Sequence, residues 1–529
     1  MCVAEDAAFE KPTIRYLGHA GFVFEYQGAS ILMDPWFYAG NLGSIFPFPD
    51  NAFVMDSVLA RKFDYLYISH SHTDHYDRRF LKNLDRTTTI LCPGFKSREL
   101  EWIFEDMGFT NIISMGHMET RRLNDHLAVT MILDASSIED SGILVDAGGF
   151  RFLNLNDCQS KVSELPQADV LACQFSGAIH YPQTYDIYTE AQKAARVETA
   201  IETYVDIFER KINAVRPKYF LPSAGPFCFL HPSLMNYNPQ PGVPTVFVDW
   251  ESFAIRTMGF LPPQAILRIF PGDVVSGDAK TKVCVFEDHY SSLNPFPEDT
   301  LEAYAARRAA ETANFYAEVA PTVSTEELAA HWSNIQRQNR RLLAYRDFSK
   351  QFTIEAFEQS GAFLRRWHIH IGEGGAAVHD TTPADFASAY TFKLPMLMLR
   401  KVIDDETNWD EMVASHHMVL SRDPDIFDPQ FFALLRYHHV PMRGRLFVLA
   451  GESDEMIPLK GAPGVEVQRY CPHAGEDLIE VEACNGVLTC PRHRWEWDIV
   501  TGQCLQGGNL PLKIRRAEQA ETDVDPVIV

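Results

Sequence analysis

Two groups of residues in this 529-residue chain have the types and spacing to hold metal ions. Toward the C-terminal end, Cys471-Pro472-His473 is followed, after sixteen residues, by Cys490-Pro491-Arg492-His493. Each segment pairs a thiolate with an imidazole, so two loops together offer two sulfur and two nitrogen donors. Toward the other end, His70-Ser71-His72-Thr73-Asp74-His75 concentrates three imidazoles and one carboxylate within six residues. Buried separately, each would need its own hydrogen-bonding partner; a shared metal satisfies them together.

The C-x-H…C-x-x-H spacing is the ligand set of a Rieske [2Fe–2S] centre, in which two Cys hold one iron and two His the other. A zinc site of the same composition usually pairs Cys with Cys and His with His instead. Such a cluster moves one electron at a time, so the chain should contain or serve a place where electrons are used. Short strands are expected at 446–450, 465–470, 486–489 and 495–499, as a small all-β domain requires. Asp498-Ile499-Val500-Thr501-Gly502-Gln503-Cys504 and Asn509-Leu510-Pro511-Leu512 resemble the closing D-x-x-T-G-x-C…L-P of Rieske domains. Gly475, Glu476 and Arg492 stand where respiratory members carry an extra disulfide, so the segment resembles the oxygenase and ferredoxin type. Arg494 replaces the Gly that often follows the last ligand. Trp495, Trp497, Cys484 and Cys504 are read as packing residues.

The elements that must position the upstream cluster are a buried strand run, Phe63-Asp64-Tyr65-Leu66-Tyr67-Ile68-Ser69, and the loop it feeds. This H-x-H-x-D-H loop, with Gly18-His19-Ala20 and Leu32-Met33-Asp34-Pro35-Trp36, resembles the metallo-β-lactamase fold, an αββα sandwich with metals at one edge. The resemblance implies that His70 and His72 hold one metal and Asp74 and His75 a second. The strand-end Asp157 would bridge them. Two further ligands of that family are normally His, and here Asp134 and Ser223 stand in those places. His180 and His231 lie on loops from which either could replace a missing His, and His19 is placed at the pocket floor, touching the ligands. His117 and His126 are read as structural. Two His and one carboxylate with open positions form the facial triad of non-haem iron oxygenases. The expected metal is therefore iron, one or two ions, with zinc as the alternative.

Between these ends, helices are expected from 297 to 346. A strand at Trp367–Ile371 turns at Gly372–Gly375, and a strand–helix–turn run over 392–412 loosely resembles sterol-carrier-like domains. The expected class is α/β: a metallo-β-lactamase-like sandwich (1–292), a mixed α+β middle region (293–443) and a Rieske domain (444–529). A net charge of −24 argues against nucleic acid as a partner. No secretory leader opens the sequence and no stretch approaches twenty apolar residues, so a cytoplasmic protein without a membrane span is expected.

A metallo-β-lactamase-like domain joined to an oxygenase-type Rieske domain resembles the CMP-N-acetylneuraminate hydroxylase group, although in its animal members the Rieske domain comes first. The resemblance implies a monooxygenase whose Rieske cluster takes electrons from a reductase, a ferredoxin or a cytochrome b5-like donor. O₂ would be activated at the upstream iron, with His70, His72 and Asp157 carrying catalysis on a small polar substrate such as a sugar nucleotide or an amine. Rieske oxygenases often pass electrons between subunits, so a homo-oligomer is a further expectation. The alternative is a metal-dependent hydrolase with a redox-regulatory Rieske domain.

Overall fold

The computed structural model describes residues 11–95, 98–134, 139–240, 242–296, 300–316, 322–339, 348–436, 455–473 and 476–516. The linker expected at 440–444 and the strand expected at 446–450 lie outside them. The chain divides into two compact units, residues 1–424 with 431–443 and residues 425–430 with 444–529.

The larger unit opens with two stacked sheets. One has eight strands, running in space from Cys284–Glu287 through Val274–Gly277, Thr13–Gly18, Gly21–Tyr26, Ala29–Met33, Tyr65–Tyr67 and Thr89–Pro93 to Ile112–Met115. The other has six, from Tyr219–Ser223 through Val170–Gln174, Phe150–Asn156, Ser141–Ala147 and Leu127–Leu133 to Thr120–Arg122. Side chains alternate along each strand, so both faces of each sheet must find cover. Phe22, Phe24, Met33, Val129, Val145 and Phe152 fill the space between the sheets. Val23, Leu32 and Leu66 point the other way, onto helix residues Val54, Leu100 and Phe104. Leu153 and Leu171 of the second sheet pack on Val197 and Phe208 of the helix Glu190–Val215. This is the expected αββα order. Ala29–Met33, Tyr65–Tyr67 and Thr89–Pro93 run parallel, as do Phe150–Asn156, Val170–Gln174 and Tyr219–Ser223. Loops leaving the C-terminal ends of parallel strands gather at one edge, and the motif loop and Asp157 both leave there.

The middle region is α+β. Its five-stranded sheet is ordered Gly375–His379, Phe363–Gly372, Ser349–Phe357, Tyr390–Pro395 and Val419–Arg422. Trp332, Trp409, Phe392 and Phe431 build its core with the helices Thr325–Gln338, Met396–Ile403 and Trp409–Ala414. Trp332 and Trp409 stack 5.4 Å apart, a contact worth about 0.5–1.5 kcal/mol beyond its area. His368 and His370, two apart on one strand, bond separately to Thr382 and Ser349.

A helix of this region, Leu301–Tyr316, is fastened to the sandwich by polar contacts. Arg307 and Arg308 reach the buried Asp50 at 3.2 and 3.1 Å, and Arg308 also donates to the Phe37 carbonyl. The Tyr304 hydroxyl donates to the Pro47 carbonyl, and Glu311 accepts from the Ala39 N–H.

The smaller unit holds two three-stranded sheets, Met456–Pro458/Val465–Gln468/Ile514–Arg516 and Val487–Thr489/Glu496–Asp498/Cys504–Gln506. Ile457, Val467, Leu488 and Trp497 form its core, together with Cys471 and Cys490. It is the expected small all-β domain.

Candidate metal centres

The motif loop is held from beneath by Asp34. This carboxylate is fully buried and accepts from the Ser69 N–H (2.8 Å) and hydroxyl (2.7 Å) and from Nδ1 of His75 (3.0 Å). Nδ1 of His70 lies 3.2 Å from Asp140. With Nδ1 of each ring committed to a carboxylate, Nε2 of both is left to face the site.

Two groups of donors result. Nε2 of His70 is 2.8 Å from Nδ1 of His72 and 3.9 Å from Oδ2 of Asp157. Nε2 of His75 is 3.4 Å from Oδ1 of Asp157 and 4.0 Å from Asp74, whose Oδ2 lies 3.2 Å from Nε2 of His19. Asp157 thus turns one oxygen to each group. It follows the strand Phe150–Asn156, whose last residue adopts a left-handed backbone (φ 51°) that swings the next side chain into the site. His70, His75 and Asp157 bring donor atoms within 4.8 Å of one another, and so do His19, Asp74 and His75.

Several polar atoms here make no hydrogen bond within the protein. They are Nδ1 of His19, Nε2 of His75 and Oδ1 of Asp157, all buried. Unsatisfied buried polar atoms are rare because each costs about 1–3 kcal/mol. The electrostatics agree. Burial opposes charging of His75, but Asp157, Asp74 and Asp34 outweigh it and push its pKa up to about 10. Burial likewise opposes charging of His70, where Asp140 and Asp157 prevail and raise it. Burial would raise Asp74, yet His75 and His19 hold it well below the carboxylate range. Carboxylates that hold protons on neighbouring imidazoles will hold a divalent cation in their stead. The donor set, all oxygen and imidazole with no thiolate, fits iron.

The remaining expected residues are placed as follows. Asp134 is buried at the same edge, where Oδ2 accepts from the Gln159 N–H and its backbone bonds that of Asp140. It is Asp140, unremarked in the sequence, that meets His70. Ser223 is buried, and the residue after it donates its N–H to the carbonyl of His19. His19 therefore comes in beside the position of the family's missing His. Its tight turn (φ 50°) and edge contact with Trp36 at 4.9 Å fix the ring. His180 and His231 join neither donor group. His180 stacks on Tyr185, with its pKa pushed down to about 4 by burial. The ring of His231 lies 3.9 Å from that of Tyr316, and its Nδ1 is 2.7 Å from the Ser233 hydroxyl. Both rings are taken up by aromatic packing.

A cleft of about 460 Å³ opens beside His72. Its walls include Ser71, Thr73, Tyr76 and Glu139 of the sandwich and Glu311, Phe315, Asn408, Asp410 and Glu411 of the middle region.

In the smaller unit, Cys471 Sγ is 2.8 Å from Nδ1 of His473, whose Nε2 is 2.6 Å from Nδ1 of His493. Cys471, His473 and Cys490 bring donors within 4.8 Å of one another. The Cys490 thiol bonds that of Cys471 and accepts backbone N–H groups of Arg492 and His493, and these contacts lower its pKa against the effect of burial. Burial, reinforced by His493 and Arg492, pushes His473 down to about 2, and burial with Arg492 pushes His493 down to about 3. Thiolate sulfur and neutral imidazole are the protonation states that ligate iron. The residues fit a [2Fe–2S] cluster.

Residues 13–182 match the β-lactamase superfamily domain, and residues 442–513 match the Rieske [2Fe–2S] domain. The chain joins a metallo-β-lactamase-like domain to a C-terminal Rieske domain. Over 92% of its length it is 27% identical to a Rieske 2Fe-2S iron-sulfur protein of Mycolicibacterium smegmatis, 97% of which is covered. It is 28% identical to the cytidine monophosphate-N-acetylneuraminic acid hydroxylase of Danio rerio, across 44% of this chain and 41% of that one. Among solved structures, CmlA, a diiron β-hydroxylase of Streptomyces venezuelae, is 18% identical with a TM-score of 0.34, covering 50% of this chain and 54% of that one. Among the described residues no helix is long and apolar enough to cross a membrane.

Proposed function

We propose that the protein is an iron-dependent monooxygenase, supplied with electrons through its Rieske domain, that oxygenates a C–H bond or an amine nitrogen of a small polar substrate. The observation that carries this reading is Asp157, which turns one carboxylate oxygen to each of two His-containing donor groups in a chain that also has a one-electron cluster domain. The similarity to a hydroxylase over the matched part of the chain supports it further.

In this reading His70, His72 and Asp157 would hold one iron, and Asp74, His75 and His19, with Asp157, a second. Iron held there would supply the reduction and activation of O₂ with single electrons from the cluster. The rest is the work of the chain. Asp34 and Asp140 fix the tautomers of His75 and His70. Trp36 and Phe227, packed on His19 at 4.9 and 6.5 Å, keep water from the buried side. The cleft beside His72 admits the substrate. Seven carboxylate side chains and two guanidinium groups line it, and Arg78 and Arg79 are each tied to a carboxylate, Asp106 and Glu311. That field favours a cationic amine over a phosphate ester, so of the two substrate classes the amine fits better. The electron donor is a reductase, a ferredoxin or a cytochrome b5-like protein.

The test is metal analysis of anaerobically purified protein, followed by O₂ uptake after dithionite reduction in the presence of candidate amines and sugar nucleotides. Iron beyond the two atoms of the cluster, with substrate-stimulated O₂ uptake, is expected. Zinc alone in the upstream site, with no O₂ uptake, would overturn the reading in favour of a metal-dependent hydrolase.

A further inference from the structure

Each imidazole of the motif loop turns one nitrogen toward the donor groups and the other toward a carboxylate. For His70 the backing group is Asp140 at 3.2 Å, and for His75 it is Asp34 at 3.0 Å. Both belong to the sandwich. His72 is oriented the opposite way, with Nδ1 facing the Nε2 of His70 and its own Nε2 on the far side of the ring. That atom lies 3.7 Å from Oδ2 of Asp410, which comes from the middle region.

We infer that Asp410 is a positioning residue of the first metal site, holding the proton of His72 on Nε2 and so committing Nδ1 to the metal. The inference rests on the reading of His72 as a ligand. A neutral imidazole carries a single N–H, so whichever nitrogen keeps it cannot donate to a cation. A carboxylate facing Nε2 makes that nitrogen the protonated one and leaves the Nδ1 lone pair to the metal. The 3.7 Å separation closes to a hydrogen bond with less than 1 Å of side-chain movement, and both side chains have room to make it, being 41% and 34% exposed in the cleft wall.

The backbone around Asp410 is fixed. The short helix Trp409–Ala414 is capped by Asn408, whose side chain accepts the Glu411 N–H at 2.9 Å. Trp409 on one side of Asp410 is fully buried and donates its indole N–H to His331 at 3.0 Å; Met412 on the other side is also fully buried. Asp410 is thus held at the cleft while its neighbours anchor the helix in the middle-region core. A substrate that fills the cleft covers the His72–Asp410 pair, strips it of water and strengthens it.

The test uses Co(II) as the probe in the full-length, cluster-loaded protein, comparing wild type with Asp410→Ala and Asp410→Glu. Asp410→Ala is expected to bind Co(II) about 10–100-fold more weakly at this site. It should also lose one solvent-exchangeable, hyperfine-shifted imidazole N–H resonance, while Asp410→Glu restores both affinity and resonance. The inference is overturned if Asp410→Ala keeps wild-type affinity and all its resonances, or if Asp410→Glu is as impaired as Asp410→Ala, which would mark a merely structural role. Wild-type protein that binds no Co(II) outside the cluster would instead overturn the metal-site reading, and this inference with it.

Discussion

The ring of Trp495 lies face to face with that of His473, 4.3 Å away and within 11° of parallel. Backbone also approaches this indole closely. A Cβ added at Gly507 would come within 2.4 Å of the Trp495 ring, and one at Gly508 within 2.0 Å. The two glycines therefore make room for the tryptophan that stacks on His473. Gly508→Ala should push the indole against His473 or off it, at an overpacking cost of roughly 1–3 kcal/mol. The expected outcome is faster bleaching of the visible [2Fe–2S] absorbance and a lower unfolding midpoint for the Rieske domain, read by stopped-flow spectroscopy and calorimetry.

Arg492 sits between Cys490 and His493 with only 4% of its surface exposed. A buried cation there favours the more negative, reduced state of the cluster. Arg492→Gln should lower the reduction potential by tens of millivolts, since 59 mV corresponds to about 1.4 kcal/mol for a one-electron couple. It should also raise the pKa of the two ligand imidazoles. A redox titration repeated across pH checks both, and an unchanged midpoint would show that this charge is not felt at the cluster.

The geometry of Asp157 separates the two proposed metal positions by mutation. Asp157→Asn should deplete both, because the shared side chain loses its negative charge and one of its two oxygens. His19→Ala should deplete the second site alone, since His19 faces Asp74 and no atom of the first group. Metal-to-protein ratios, measured alongside the intact Rieske spectrum, distinguish these outcomes. Equal depletion in both variants would contradict the assignment of His19.

His416 and His417 are buried in the larger unit. His416 is enclosed by Phe229, Tyr237 and Phe247, and His417 bonds the Tyr316 hydroxyl at 2.6 Å. Burial pushes both down to about 3, against about 6.5 in the unfolded chain. The unfolded state therefore binds more protons between those values, so stability falls as pH drops from about 6.5 toward 3. The loss is roughly 1.4 kcal/mol per pH unit for each group. Thermal unfolding followed from pH 7 to pH 4 should show this slope, and His417→Asn should flatten it.

What could be read from the sequence was local. The motif loop, Asp157 and the four cluster residues are legible because their donors are crowded within a few residues or end a strand of clear apolar pattern. Asp34, Asp140 and Asp410 are not, because each meets the site through tertiary packing from a segment with no metal-like spacing of its own. Asp34 even lay within a recognised segment, but nothing in Leu-Met-Asp-Pro-Trp says that its carboxylate will reach His75. Residue type alone offers other His on nearby loops in place of the missing family His. The structure points instead to a residue already in view, His19, which lies on the loop that packs against Ser223-Ala224. His180 and His231 had the right residue type in plausible loops, and only the aromatic neighbours Tyr185 and Tyr316 show why they turn elsewhere.

The contacts that fasten the helix Leu301–Tyr316 to the sandwich bear on how this chain can be cut or recombined. A fragment ending near residue 292 would discard Arg307 and Arg308 and with them both ion pairs of Asp50. It would also leave the Ala39 N–H and the Pro47 carbonyl without the groups that satisfy them. The sandwich is therefore not a portable cassette. A gene rearrangement that moved it to a new setting would have to carry this helix along, and with it part of the wall of the cleft beside His72.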